Sequence, residues 1–398
     1  MVSDEELALN PIAAMRLWNL MFYLAMGMAV PYFPVVLEKS GLTPSQIGLA
    51  FSISNIASGF FSYYIGRLSD RVGRLKILIA TTFGASISHL LLSIELGHIS
   101  VVAIFTLLMM SMGASNTIVT AYSIDSLERA GLSRGSGFGS IRIGGSIGWI
   151  PGTFLGGVLV SILGLRSIFL FASVIIGLSV LSCHRLTESA RTRRAGGLGA
   201  RALSLLEGAP GILLLTMTLA FVANSAIMNF LSLHMINSLG ASPLEVSTAF
   251  ALMGLTEIPA MVYLGRLSDR VGRRPILLLC LLAFPFRLAI SGLSPDRYVV
   301  ILAQTLNSLT FGGLYVVSIA YASELVPEDM RGGYMGLYGA TFSVGGVIGG
   351  YLWGSVAEAT TYSEMFQYSA LFSLIPVALA GLALKKQSRE VYSAPSTR

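Results

Sequence analysis

The sequence predicts an all-α membrane protein: twelve transmembrane helices in two pseudo-symmetric six-helix bundles. Three observations carry this. The chain is 54% hydrophobic and only 12% charged, with a mean hydropathy of +0.74, about half the charge of a soluble domain. It contains twelve apolar runs, long enough at 1.5 Å per residue to cross a hydrocarbon core of about 30 Å. The nine residues GRLSDRVGR at 66–74 return at 265–273, an offset of half the 398-residue chain.

The first run, α1 at 14–37, reads MRLWNLMFYLAMGMAVPYFPVVL from residue 15 onward. It follows an acidic stretch, MVSDEELALN, and is longer than the core of a cleavable leader, so it is expected to persist as a helix. α2 (44–65) runs into the first copy of the repeated phrase, and α3 (76–96) leaves it. α4 (98–123) contains ISVVAIFTLLMMSMGASNTIVTAY, α5 (137–161) is rich in glycine, and α6 (164–183) ends the first half. Residues 187–210, TESARTRRAGGLGARALSLLEGAP, read as a cytoplasmic linker between bundles at 1–186 and 211–398. The second half repeats the order with α7 (211–236), α8 (244–264), α9 (275–293), α10 (297–321), α11 (333–356) and α12 (363–384). All are assigned as helices, because an isolated strand cannot satisfy its backbone in lipid.

Orientation follows from the basic residues. With a cytoplasmic N-terminus, 21 of the 26 Lys and Arg fall on that side; Lys39, Arg166 and Arg297 fall outside, and Arg142 and Arg287 lie within helices. This is the positive-inside pattern. It places both termini in the cytoplasm and the chain in the plasma (inner) membrane as a multi-pass protein. It also accounts for the net charge of +6 without a nucleic-acid partner. Cys183 and Cys280, near helix ends, read as spectators.

The repeat reaches beyond its phrase. Tyr122 and Asp125 align at the same offset with Tyr321 and Glu324, and, after a two-residue gap, Arg134-Gly135 aligns with Arg331-Gly332. Parallel repeats of this kind put a substrate site between the halves at mid-membrane. The phrase itself reads as a short basic loop in which Gly66 and Gly73 permit turns and Asp70 sits before α3. With twelve helices, two halves and G-R-L-S-D-R-x-G-R after α2 and α8, the chain resembles the major facilitator superfamily of secondary transporters. The resemblance implies a cytoplasmic gate: Gly66, Asp70, Arg71, Arg74, Asp125 and Arg134 in one half, with Gly265, Asp269, Arg270, Arg273, Glu324 and Arg331 in the other. It implies that this charge network latches the halves and breaks when the site opens inward.

Residues that serve the shared machinery repeat, so cargo chemistry is sought where the halves differ. Glu257 in GLTEIPAM of α8 aligns with Ser58, and Arg287 in AFPFRLAI of α9 with Ser88. Gln304 and Asn307 of α10 align with Phe105 and Leu108, while Arg142 and Trp149 of α5 align with Gly339 and Gly346. An ion near a helix centre costs about 2.5–3.5 kcal/mol on insertion scales, so Arg142, Glu257 and Arg287 must face a wet cavity or one another. Glu257 and Arg287 are the expected pair and the candidates for proton coupling. Arg142, Trp149, Gln304 and Asn307 are the candidates for binding solute, joined by Asn224 and Asn229 on α7, which should line the cavity.

FGSIRIGGSIGW at 138–149 also resembles the fifth helix of the lactose permease group of oligosaccharide and nucleoside proton symporters, and MGMAVPYFPVVL at 26–37 resembles its first. That likeness implies that Arg142 hydrogen-bonds a sugar and that Trp149 stacks on its ring. Arg287 and Asn307 keep the spacing of that group's Arg and His, but on this register its Lys, His and proton-carrying Glu become Gln304, Asn307 and Thr310. The expected function is therefore a secondary active transporter of a small polar or amphipathic organic solute, sugar- or nucleoside-like, proton-coupled, acting by alternating access. The alternatives are a proton-driven drug or metabolite efflux antiporter and a passive facilitator without ion coupling. The sequence carries no nucleotide-binding glycine loop, no metal-ligand cluster and no nucleophile motif, so no enzyme, cofactor or metal is expected. The expected partners are the solute, protons and the lipid bilayer, with the chain a monomer.

Overall fold

A computed structural model of the chain describes residues 4–129, 134–186 and 205–384. Every element in it is helical. α1 is Asp4–Ala29, carried by a 3-10 turn at Val30–Tyr32 into Phe33–Lys39. Then come α2 Pro44–Val72, α3 Arg74–Leu92, α4 His98–Arg129, α5 Arg134–Leu163 and α6 Ser167–Ser179. The second half holds α7 Gly208–Leu233, α8 Pro243–Val271, α9 Arg273–Leu293, the segmented α10 from Arg297 to Leu325, α11 Arg331–Ala359, and α12 Tyr362–Phe372 with Leu374–Ala383. Ten of these spans are long and apolar enough to cross a membrane. The two others, α2 and α11, pack against each other and are partly shielded from lipid.

The repeated phrase is not the loop its glycines suggested. α2 continues to Val72 and α8 to Val271, so Gly66 and Gly265 lie inside helices. The turns fall only at Gly73 (φ 118°) and Gly272 (φ 103°), a backbone region that glycine alone enters at no steric cost. Both helices also begin alike. Thr43 caps α2 with Gln46 reaching back, Ser242 caps α8 with Glu245 reaching back, and Pro44 or Pro243 follows each cap. These are capping boxes with proline at the first helical position, where its missing N–H costs nothing.

Glycines set the packing. Gly144, Gly148 and Gly152 press α5 onto the backbone carbonyls of Arg16, Leu20 and Leu24 in α1. Gly345 and Gly349 press α11 onto Phe221 and Ser225 of α7. Between apolar helices in lipid, this close backbone approach supplies the dispersion contact that water would otherwise drive.

Two antiparallel seams join the halves. In the α2–α11 seam, Gly48 abuts the carbonyl of Gly350, Ser52 donates to the carbonyl of Val347 at 2.6 Å, and Asn55 lies beside Gly346. Further along, a Cβ at Gly59 or Gly339 would meet nothing within 4 Å, so the seam parts toward the phrase. In the α5–α8 seam, Gly157 meets Leu244 and Ser247, and Trp149 meets Gly254.

Among the described residues, polar contacts between the halves gather at the end remote from the phrase. Tyr32 donates to the Pro243 carbonyl at 2.7 Å, and Asn237 to Glu38 at 2.7 Å. The Thr43 hydroxyl and the Ser45 N–H both donate to Glu358, at 2.8 and 2.9 Å. The far end is thus closed while the seam at the phrase end has begun to open.

Candidate functional site

Arg287 is completely buried in α9. Its Nε donates to Gln304 Oε1 at 3.0 Å, and its Nη1 donates to Asn307 Oδ1 at 2.9 Å and Thr310 Oγ1 at 2.8 Å. All three acceptors come from α10, and the reason is local. α10 passes from α-helix at Arg297–Ala303 through a 3-10 turn at Gln304–Leu306 to a π-helical stretch at Ser308–Gly313. In a 3-10 turn residues i and i+3 eclipse, which lines Gln304 up over Asn307 on the side of α9. An ordinary helix would rotate them about 60° apart.

Asn307 then links the cation to the acid. A guanidinium only donates, so the Asn307 oxygen faces Arg287 and its amide nitrogen faces away. That nitrogen donates to Glu257 Oε2 at 3.3 Å. The sequence paired Glu257 with Arg287; the structure carries their contact through the Asn307 amide. Glu257 is half-buried on α8, and its stem packs on Gly312, where the π-helical stretch has no side chain to obstruct it. On the other side, Gln304 Nε2 donates to the Ser291 hydroxyl at 3.3 Å, and the Ser291 carbonyl contacts His234 Nε2 at 2.8 Å. Glu257, Asn307, Arg287, Gln304, Ser291 and His234 therefore form one polar chain through α8, α10, α9 and the turn His234–Ser238 that follows α7.

Trp149 enters from the other half. Its ring lies against Gly254 of α8, three residues from Glu257 and so on nearly the same helix face, about one turn away. The side chain of Arg142 lies outside the described residues, as does that of Arg134. Asn224 and Asn229 are both buried, each with one polar atom unpartnered. Five residues apart, they point about 140° from each other and cannot line the same wall. They flank, from opposite sides, the face on which Phe221 and Ser225 meet α11 and Ser232 donates to the Pro31 carbonyl.

The gate candidates form two matching clusters. Arg74 pairs with Asp70 at 3.2 Å and with Asp125. Arg273 pairs with Asp269 at 2.5 Å and with Glu324 at 2.9 Å. Arg331 pairs with Glu328 at 3.2 Å and donates to the Ser323 carbonyl. Arg71 and Arg270 are exposed at the ends of α2 and α8. These pairs close within a half while the seam beside them is parted, so they brace α2 to α4 and α8 to α10.

The sequence missed Ser291 and gave Thr310 no binding role. Ser291 lies four residues after Arg287, on the same face of α9, and that spacing was the available signal. Thr310 had stood only as the residue in place of a lost carboxylate.

The comparisons agree on family and fold. A family model described as the MFS_1 like family matches residues 13–368. An uncharacterized MFS-type transporter of Bacillus subtilis, YuxJ, is 27% identical, over 89% of this chain and 94% of its own. A putative sugar efflux transporter of Deinococcus radiodurans is 25% identical, over 89% and 93%. A multi-drug resistance efflux pump of Streptococcus pneumoniae, PmrA, is 24% identical, over 88% and 92%. Among solved structures, the nucleoside transporter NupG superposes with a TM-score of 0.81 at 15% identity, over 95% of this chain and 100% of that one. A chain with these helices and this match belongs to the MFS_1-like family of the major facilitator superfamily and is a membrane transporter, not an enzyme.

Proposed function

We propose that the chain carries a small polar or amphipathic organic solute, sugar- or nucleoside-like, coupled to protons. Bundles at 1–186 and 211–398, joined by the linker 187–210, rock about a site between them. The observation that carries this reading is the chain from Glu257 through Asn307 to Arg287, one turn of α8 from the Gly254 that Trp149 of the opposite half touches. A solute bound beside both Trp149 and Glu257 would reach residues of both halves, and its binding would tie their relative positions to the protonation of Glu257. With the positive-inside orientation, the phrase end is cytoplasmic, so the parted seam corresponds to an inward-opening state in the plasma membrane. A monomer contains the whole site. Glu257 is the proposed proton carrier, since neutralising it would remove the anion that the Asn307 amide holds beside Arg287.

Reconstitution in liposomes tests this. Uphill solute flux should follow an imposed pH gradient and collapse when the gradient is dissipated. Glu257→Gln should abolish the gradient-driven component while solute exchange at equal pH continues; gradient-driven flux that survives the substitution removes Glu257 from the role. The names of the sugar efflux and multi-drug efflux relatives favour a second reading, export by proton exchange. Its signature is opposite: flux of solute against the direction of proton entry.

A further inference from the structure

Four aromatic side chains form a row that passes beside the polar chain. Phe221 of α7 meets Phe342 of α11 edge to face, with ring centroids 5.0 Å apart. Phe342 meets Phe311 of α10 edge to face at 6.5 Å, and Phe311 stacks on Tyr315 at 6.0 Å. Rows of rings usually fill a core, and Phe221, only 5% exposed, does so. Phe342 is 50% exposed.

The direction of that exposure follows from α11 itself. α11 touches α7 through Gly345 and Gly349, and α2 through Gly350 and Gly354. At about 100° per residue, Phe342 falls between these two contact faces. The exposed apolar residues Val344, Ile348 and Tyr351 lie on the opposite side of the helix, about 150° from Phe342. They form the lipid-facing side, so Phe342 turns into the cleft between the halves. Its depth is also set. The α2–α11 seam is tight at Gly346 and open at Gly339, and Phe342 lies between, where the opening begins. Phe311 immediately precedes Gly312, the residue on which the Glu257 stem rests. A wall of rings therefore adjoins a carboxylate.

We infer that Phe342, Phe311 and Tyr315 form a platform for a flat unsaturated heterocycle, and that the cargo joins such a ring to hydroxyl or amine donors that reach Glu257. The inference rests on the transporter reading above and narrows its solute class. Flat π-systems pair with aromatic faces and edges through their quadrupoles as well as through area. A purely apolar ring would desolvate Glu257 and Asn307 without replacing their partners, which disfavours it. A saturated sugar would satisfy those groups and leave the platform underused. A ring carrying hydroxyls satisfies both.

The test uses the full-length chain in liposomes, preloaded with solute, and measures exchange of labelled uridine and labelled ribose. These share a sugar and differ by the flat ring. Uridine should half-saturate exchange at a concentration about tenfold below ribose, the scale of one base stacked on one aromatic side chain. Phe342→Leu keeps bulk against Phe221 and removes the π face; it should raise the uridine value about tenfold and leave ribose unchanged. Phe342→Tyr should leave both unchanged. Ribose exchanging as well as uridine, or Phe342→Leu handling uridine like the parent, overturns the platform. Ribose exchange with no uridine exchange also overturns it, yet leaves the transporter reading standing. No exchange of either solute overturns both.

Discussion

A guanidinium at zero exposure in an apolar bundle keeps its charge only while its donors find acceptors. Arg287 finds them for Nε and Nη1 in Gln304, Asn307 and Thr310, while its Nη2 has no hydrogen-bond partner among the described residues. Arg287→Met would strand these groups. It should destabilise the protein by about 3–5 kcal/mol, read as a lowered unfolding midpoint in detergent, with transport lost. Lysine cannot substitute, because one ammonium cannot cover the span of a planar fork. At this scale much was legible beforehand. Glu257, Arg287, Gln304 and Asn307 emerged by comparing one half with the other, since a buried polar residue without a twin must have a partner elsewhere. What could not be read was how they join. The Asn307 bridge and the Ser291 contact depend on an irregular stretch of α10 that leaves no periodic trace in the sequence.

Among elements, the apolar runs located all twelve helices but misjudged where α2 and α8 end. Hydropathy marks where lipid stops, whereas a helix continues while its N–H groups find carbonyls. Charged residues such as Arg67 and Asp70 do not interrupt that ladder; Gly73 does. The tight seam between α2 and α11 was likewise only half visible. Glycines permit close approach of two helices, and the structure adds which backbone each one meets. Gly48 sits against the Gly350 carbonyl with no space for a side chain. Gly48→Val should therefore push the far end apart, at a cost of about 1–3 kcal/mol to the closed form. A single cysteine placed at Ser45, beside Glu358, should react with a bulky thiol reagent in this variant and resist it in the parent. Equal protection in both would mean that the seam yields elsewhere.

For the molecule as a whole, the twofold repeat was plain from the doubled phrase, but the halves are not equal in their charge clusters. The side chains of Arg74 and Asp125 are each only 9% exposed, against 17% and 31% for Arg273 and Glu324. Removing a buried partner strands a desolvated ion, whereas an exposed one is relieved by water. Asp125→Asn should thus lower stability by about 3 kcal/mol and Glu324→Gln by less than about 1 kcal/mol, compared by thermal unfolding of the two variants. An equal loss would show the clusters to be equivalent despite their exposure.

The contact between Glu38 and Asn237 has a bearing on ancestry and engineering alike. The two are 199 residues apart, the offset of the repeat, so each meets its own counterpart on the pseudo-twofold axis. Two copies of the amino-terminal half assembled this way would bring glutamate against glutamate, and carboxylates so placed repel unless they share a proton. A tandem of identical halves could not shut this end as the natural chain does; the asparagine makes the fused halves complementary where plain duplication would make them rivals.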